Sequence, residues 1–477
     1  MAELKTLKAD LCVIGGGSGG LSAAAGAAML GLKVVLFEKH EMGGDCLNHG
    51  CVPSKALLAA AKAAHAPLDA ARFGVNAPAA SIDWNGVKAH VRKTIETIAP
   101  VDSQARFEGL GCTVIREAAR FEDKDTVVSG SVRVKARRII VATGSQAFIP
   151  PIPGLADVPY LTNETIFSMP DFPQHLIVLG GGPIGLELAQ AFGRLGAKVT
   201  VIEMDRALAR ADADHAALAV EAIRAEGAAI LEGHKAARVS GVPGQITVHA
   251  ESPGGEIAIQ GSHLLVALGR RAVLSGLDLE KGRVDFTPNG ITVSDTLRSK
   301  SNPRVWALGD AAGREQFTHV AGWHASVFIR RAFFKQGSKA SSLPVPAVTY
   351  TSPEIAQIGL TEAEARAKFA GAVTTTAFPF HENDRAIAEG KTLGGAKLVL
   401  HKGKLVGASI AGDGAGDILQ LVSLAMSNGM KLTALTNFIS PYPTRAEVVK
   451  RAASAYFTPS VFGKPARTLV GLLQRIP

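Results

Sequence analysis

A strand, a glycine-rich loop, a helix and a second strand ending in a carboxylate occur twice in this chain, at one spacing. Leu11 to Ile14 is an apolar run that ends in Gly15-Gly16-Gly17-Ser18-Gly19-Gly20 and opens an Ala-rich helix. The strand Lys33 to Phe37 follows and stops at Glu38. Leu176 to Leu179 leads into Gly180-Gly181-Gly182-Pro183-Ile184-Gly185, a helix through Leu195, and the strand Lys198 to Ile202, which stops at Glu203. In both copies the last loop glycine precedes the acid by 18 positions, Gly20 to Glu38 and Gly185 to Glu203. The glycines serve a tight turn and a close pyrophosphate approach, a helix N-terminus faces the phosphates, and the acid suits a ribose. One such loop is a weak signal. Two with the same element order predict two dinucleotide sites.

Further strands close the units. Arg138 to Ala142 ends in Thr143-Gly144-Ser145, before a Pro-rich crossing from Pro150 to Pro153. Leu264 to Leu268 ends in Gly269-Arg270-Arg271, and Val305 to Leu308 runs into Gly309-Asp310. The Gly/Ser/Lys-rich stretch 337–343 marks a linker. Beyond it, strand-like runs (Val345 to Tyr350, Ala396 to Leu400, Leu405 to Ile410) alternate with helical ones (Thr361 to Phe369, Asp417 to Asn428, Arg445 to Phe457). The fold class expected is α/β: two Rossmann-like dinucleotide-binding domains followed by a C-terminal α+β domain. At 477 residues there is room for about three domains, each with its own core.

The chemistry is concentrated in Gly43-Gly44-Asp45-Cys46-Leu47-Asn48-His49-Gly50-Cys51-Val52-Pro53-Ser54-Lys55, which holds two of four cysteines. Pro53 suits the first turn of a helix, where its missing N–H breaks no bond. Ser54 to Ala64, rich in Ala, Leu and Lys, reads as that helix. Five residues of regular helix rise about 7.5 Å, whereas a disulfide wants its Cα atoms roughly 4.4–6.8 Å apart. If Cys46 and Cys51 pair, Cys46 lies in a distorted first turn or before the helix. A helix N-terminus favours a thiolate at Cys51, and Lys55, one turn on, acts in the same sense. A redox pair is the reading preferred. A structural bridge is one alternative, although intracellular proteins rarely keep such bridges. Half a zinc site with His49 is another, although Cys12 and Cys112 are isolated and offer no second ligand pair.

Composition narrows the class. Hydrophobic residues make up 47% and there are 51 glycines, which suits an Ala/Gly-rich α/β protein rather than a disordered one. The charge of +9 comes without a dense Lys/Arg block, so it predicts a generally basic surface and no nucleic-acid partner. The apolar stretch Leu176 to Phe192 is broken by glycines and Pro183 and carries Glu187, so no membrane span is expected. Met1 to Asp10 is polar and mixed in charge, with no targeting signal visible, and the cytoplasm is the default location.

With these pieces in order, the chain resembles the flavin-dependent pyridine nucleotide–disulfide oxidoreductases over nearly its whole length, the group of dihydrolipoamide dehydrogenase, glutathione reductase and mercuric reductase. The resemblance implies that Gly43 to Lys55 is the redox-active disulfide motif, with Cys51 the flavin-proximal sulfur and Cys46 the interchange thiol. It makes Gly15, Gly17, Gly20, Glu38, Lys55, Ala142, Thr143, Gly144 and Asp310 FAD contacts. Gly180, Gly182, Gly185, Glu203 and Gly269 become the nicotinamide-cofactor site, and Lys55 and Glu187 a pair beside the flavin. It implies a homodimer in which the C-terminal domain, with Thr351 to Glu354 and Asn383 to Ala386, forms the interface. The domains then run 1–150 (FAD), 151–272 (NAD(P)), 273–343 (FAD, continued) and 344–477 (dimerisation). NADH is the preferred donor, because Glu203 suits a ribose diol and repels a 2′-phosphate; Arg206 is the competing cation.

One position departs from the family pattern. Thiol-handling members carry His-Pro-Thr-x-x-Glu, whereas this chain reads Tyr442-Pro443-Thr444-Arg445-Ala446-Glu447. An ordinary tyrosine, with pKa about 10 against about 6.5 for histidine, is a poor base at neutral pH. Mercuric reductases also carry Tyr in this neighbourhood, but they generally add a C-terminal cysteine pair, and no cysteine follows Cys112 here. The expectation is an NAD(P)H-dependent disulfide oxidoreductase of the dihydrolipoamide dehydrogenase type. A metal-ion reductase and a redox-sensing flavoprotein with little turnover are the alternatives. No motif names the electron acceptor, because substrate walls lie on loops.

Overall fold

A computed structural model describes residues 4–369 and 371–476. Met1 to Glu3 of the polar N-terminus, Ala370 and Pro477 lie outside the described residues. The chain divides into two compact units. The first holds the residues up to Gly180, Ala191–Val199 and Ala236–Ser342; the second holds Gly181–Gln190, Thr200–Lys235 and the residues from Leu343 on. The division falls inside the second glycine loop, between Gly180 and Gly181.

In the first unit, strand β1 (Lys5–Ile14) lies in the parallel part of a 7-stranded sheet whose last two strands, Thr126–Val128 and Arg120–Phe121, are antiparallel. On one side it pairs with β2 (Val34–Phe37), which pairs with Thr113–Ile115; on the other it pairs with Val132–Val141, which also takes Val305–Ala307. Leu11, Cys12 and Val13 of β1 are fully buried, as are Ile139 to Val141 beside them. Parallel strands covered on both faces read as continuous apolar runs, as Leu11 to Ile14 and Ile139 to Val141 do, whereas Val132 to Arg137 alternates apolar with basic residues. Helix α1 (Ser18–Met29) packs against the helix Thr318–Ala332, with Gly19 close to Ala321 and Gly26 close to Ile329. The strand His175–Leu179, which leads to the second loop, pairs in parallel with His263–Val266.

The cysteine motif breaks into two helices, a short α2 (Gly44–Asn48) and a long α3 (Cys51–Ala70). Cys46 therefore precedes the helix that Cys51 opens, and Pro53 sits in that helix's first turn. The helix begins three residues before the expected Ser54 and continues through Pro67, where it lacks one backbone donor. The expected linker is pinned. Ser341 donates from its N–H (3.2 Å) and Oγ (2.6 Å) to Asp295, and Trp323 Nε1 donates to Ala340 O at 2.9 Å.

In the second unit, Thr200–Ile202 pairs in parallel with Ala229–Leu231. The C-terminal part is a five-stranded antiparallel sheet in the order Pro346–Thr349, Glu354–Gly359, Lys404–Gly412, Gly395–His401, Val373–Pro379. The helices Ala415–Ser427 and Glu447–Val461 supply Leu419, Val422, Val448 and Val449 to the core with its strands. Two of these strands escaped the sequence reading. Glu354–Gly359 follows Pro353 closely, and Val373–Pro379 is a Thr-rich edge strand without an apolar run. No helix among the described residues is long and apolar enough to cross a membrane.

Candidate active site

Cys51 is the first residue of α3, so its sulfur lies at the positive end of a 20-residue helix. A second helix start meets it: Thr318 opens the helix Thr318–Ala332, and its Oγ1 lies 3.4 Å from Cys51 Sγ. All four cysteines are free thiols, with Cys46 half-buried and Cys51 exposed. A hydrogen bond from Cys46 is the largest influence on Cys51. With the Thr318 hydroxyl and the Lys55 charge it outweighs partial burial and the Asp45 carboxylate, so the Cys51 thiol is lowered to about 6. Cys46 moves the other way, raised by its bond to Cys51, by burial and by the neighbouring charge. The two thiols are thus differentiated, with Cys51 the thiolate and Cys46 the protonated donor at neutral pH. Cys12 and Cys112 are buried, which pushes both thiols up, and they lie outside this arrangement.

Asp45, the residue before Cys46, anchors this short helix. Its Oδ1 accepts from Asn163 Nδ2 at 3.0 Å, which also donates to His49 O at 3.2 Å. Its Oδ2 lies 3.1 Å from Arg270 Nη2. Arg270 donates in turn to Ser145 Oγ and Ser145 O, both at 2.8 Å, and Ser145 Oγ donates to Asp310 Oδ2 at 2.5 Å. Burial holds the Asp310 carboxyl above its ordinary range against those two partners. A Cβ on Gly50 would lie 3.0 Å from both the backbone O and Oδ2 of Asp45, so any larger residue in the turn between the cysteines would have to push Asp45 aside by a few tenths of an ångström.

The first glycine loop has the shape a dinucleotide needs. A Cβ on Gly20 would sit 2.0 Å from Gly15 O, whereas one on Gly17, the N-cap of α1, would meet only Gly44 Cα at 3.9 Å. The loop is tight where the helix turns in and open where a phosphate approaches, and no acidic side chain lies in the first turn of α1. Glu38 accepts from Gly16 N at 2.6 Å and His40 N at 2.7 Å. The second loop repeats this: Glu203 accepts from Gly181 N at 2.6 Å and Asp205 N at 2.9 Å, and nothing lies within 4 Å of a Cβ on Gly182. Ala142 and Thr143 hold the neighbouring strand end, through Ala142 N to Ile14 O at 2.8 Å and Thr143 Oγ1 to Val273 O at 2.6 Å. Gly144 and Gly269 both have positive φ. The Gly309–Asp310 turn is held by buried His324, whose Nδ1 accepts from Gly309 N at 3.1 Å; burial and Arg314 lower this imidazole to about 4 and keep it neutral.

The remaining expected residues lie in the second unit. Glu187 is buried, and its Oε1 accepts from Tyr350 N at 2.9 Å. Tyr442 is largely exposed and donates to Asp384 Oδ2 at 2.9 Å. That bond and the Asp384 charge raise the phenol further above neutrality. Glu447 Oε1 accepts from Arg451 Nε at 2.9 Å, one helical turn on. Arg206 donates to Ala209 O at 3.3 Å. Thr318 and Asn163 lie outside every motif read in the sequence, and Asp45, Ser145 and Asp384 lie within quoted stretches, but the contacts of all five are defined by partners distant in the chain.

Two glycine loops of similar geometry and a polarised cysteine pair fit a pyridine nucleotide–disulfide redox enzyme. The family model for pyridine nucleotide-disulphide oxidoreductases matches residues 9–325, and that for their dimerisation domain matches residues 345–453. The chain belongs to this family. It is 34% identical over 456 residues to mercuric reductase of Streptomyces lividans, covering 94% of this chain and 96% of that one. It is 31% identical over 452 residues to dihydrolipoyl dehydrogenase of Bacillus subtilis (strain 168), covering 93% and 97%. Among solved structures it is similar to the Cu(II) complex of the HOCl-induced flavoprotein disulfide reductase RclA from Escherichia coli. That match has a TM-score of 0.82 and 25% identity, and covers 93% of this chain and 99% of that one. The protein is an NAD(P)H-dependent flavoprotein disulfide oxidoreductase that uses FAD.

Thr318 tunes the pair in a way that can be measured. Removing a hydrogen bond to a charged sulfur costs up to about 1.5–3 kcal/mol, or roughly one to two pKa units at most. Thr318→Val should therefore raise the Cys51 pKa and shift the alkylation-rate profile of that thiol towards higher pH. Thr318→Ser should restore the profile. An unmoved profile in Thr318→Val would remove the hydroxyl from the account.

Proposed function

We propose that this enzyme passes electrons from NADH through FAD to Cys46 and Cys51, and from them to a disulfide. The observation that carries this reading is the polarised pair, with a Cys51 thiolate at a helix start and a protonated Cys46 beside it. Bound FAD supplies the two-electron relay between a nicotinamide hydride and the cysteine pair. The residues proposed to hold it are Gly15, Gly17, Gly20, Glu38, Lys55, Ala142, Thr143, Gly144 and Asp310. Gly180, Gly182, Gly185, Glu203 and Gly269 serve the nicotinamide cofactor, and Lys55 and Glu187 act as a pair. Cys46 loses its proton as it attacks the acceptor disulfide and expels one thiolate. Cys51 then attacks Cys46 Sγ and expels the second, leaving a Cys46–Cys51 disulfide and two reduced thiols.

The functional division runs 1–150, 151–272, 273–343 and 344–477, with the last segment joining two copies as a homodimer. Tyr442 and Glu447 would then lie near Cys46 of the other copy. The cytoplasm is the proposed location. A metal-ion acceptor is the second reading, favoured by Tyr442 in place of a basic imidazole and by the similarity to a mercuric reductase. Steady-state NADH consumption with lipoamide, glutathione disulfide and Hg(II) in parallel separates these readings. Lipoamide or glutathione disulfide turnover far above Hg(II) supports the first; the reverse supports the second; slow turnover with all three points to a redox sensor.

NADH should be preferred to NADPH in kcat/KM, because a Glu203 carboxylate serving the ribose diol, as proposed, would repel a 2′-phosphate. Glu203→Ala should narrow the ratio. A clear NADPH preference in the unmodified enzyme would show that Arg206 or another cation outweighs the carboxylate.

A further inference from the structure

The last described helix, Lys464–Leu473, lies beyond the segment matched by the dimerisation-domain model, and none of its residues is buried. Its side chains divide cleanly into two faces. Leu469, Leu472, Leu473 and Ile476 recur at the i, i+3, i+4, i+7 spacing of one helical face, with Val470 beside them. The helical turn continues past Leu473 through the bonds of Arg475 N to Leu472 O and Ile476 N to Leu473 O. All five of these apolar side chains are more than half exposed, as are the adjacent Val461 and Phe462. Lys464, Arg467, Thr468, Gly471 and Arg475 form the opposite face. The preceding helix, Glu447–Val461, shows the usual outcome for comparison, since it buries Val448, Val449, Ala452 and Ala453.

The charge on this segment is one-sided. From Val448 to the C-terminus there is no acidic residue, while Lys450, Arg451, Lys464, Arg467 and Arg475 are all cationic. A helix with leucines on one face and only cations among the charges on the other suits the boundary between acyl chains and anionic headgroups. The helix spans about 15 Å, far too short to cross a bilayer but long enough to lie along one.

We propose that this C-terminal helix docks the enzyme on an anionic lipid bilayer, with the Leu469–Leu472–Leu473–Ile476 face in the acyl boundary and Lys464, Arg467 and Arg475 at the headgroups. Two such helices per homodimer would bind together and strengthen weak single contacts.

The test is co-sedimentation of the full-length, FAD-loaded protein with phosphatidylcholine vesicles containing phosphatidylglycerol, against vesicles of phosphatidylcholine alone. Binding is expected to the anionic vesicles only, and to fall as salt is raised. Arg467→Gln with Arg475→Gln should weaken it by about fivefold for each cation. Leu469→Glu with Leu473→Glu should weaken it by roughly 10- to 100-fold for each leucine. Both variants should keep the flavin spectrum and NADH turnover of the unmodified enzyme, since neither touches the cysteine or nucleotide residues. Equal binding to both vesicle types, no binding to either, or a charge variant that binds like the parent overturns the proposal. A Leu469→Glu, Leu473→Glu protein that changes oligomeric mass in solution also overturns it, because the face then covers a second copy of the chain.

Discussion

Replacing Cys51 with serine is expected to abolish both acceptor reduction and the long-wavelength absorbance that a thiolate beside flavin produces on two-electron reduction. Serine is isosteric with cysteine but does not ionise near neutrality, and Cys51 is exposed, so the substitution removes the thiolate without opening a core cavity. Cys46→Ser should likewise end turnover, since no mixed disulfide can form, but should leave the absorbance, because Cys51 remains. The sign of the pH dependence follows from the lowered Cys51 value. Its thiolate persists above a pH of about 6 and is lost as pH falls through that value. The hydrogen bond from Cys46 is the largest cause of the lowering. A serine hydroxyl at position 46 can still donate, whereas Cys46→Ala cannot, so the alanine variant should titrate at distinctly higher pH than the serine one. Absorbance indifferent to Cys51, or an identical titration in the two Cys46 variants, would overturn the assignment of the proximal thiolate.

Tyr442→His is the change expected to raise an activity most. In the parent, the phenol donates to Asp384 and is held above its ordinary pKa, so near pH 7 it keeps its proton and cannot take one from an incoming dithiol. The enzyme should reduce disulfides with NADH better than it oxidises dihydrolipoamide with NAD. An imidazole at this position ionises near neutrality, and it has two carboxylates nearby in the fold or sequence: Asp384, already bonded to residue 442, and Glu447 at the family spacing. Proton transfer by a positioned base typically contributes 10²–10⁴-fold. Glu447 is engaged with Arg451, so the rescue should fall short of that range and rise when Arg451→Ala releases the carboxylate. Dihydrolipoamide oxidation should increase by at least about tenfold, with a rate profile that turns on through the histidine pKa. Rapid oxidation by the parent at pH 7, unchanged in Tyr442→Phe, would show that another group serves as base.

The parts of this protein legible from sequence are those whose physics is local. A glycine loop, the helix it opens and the acid 18 positions later act within one short segment, so their spacing announces them. Glu38 and Glu203 do close back on Gly16 and Gly181 in the same way. The cysteine motif is equally local, because the turn between Cys46 and Cys51 and the start of α3 are built from adjacent residues. The buried ends of the central parallel strands were legible because burial on both faces demands unbroken apolar runs, whereas the polar or alternating starts, Lys5 to Asp10 and Val132 to Arg137, were not. The strand Val373–Pro379 was not, because its threonines satisfy a sheet edge without any such run.

Beyond the bond from Cys46 and the charge of Lys55, what tunes the site was decided by tertiary structure. Thr318 is 267 residues from Cys51, and Asn163 is 118 from Asp45; Arg270, Ser145 and Asp310 form their chain only after separate strands converge. Asp384, 58 residues before Tyr442, determines that the phenol is a donor and a still weaker base than its sequence position implied. Periodicity and spacing specify which face of an element is buried and which residues share a turn. They carry no information about which distant side chain a core brings within hydrogen-bond distance, and a pKa depends on charges, donors and desolvation within a few ångströms regardless of chain separation.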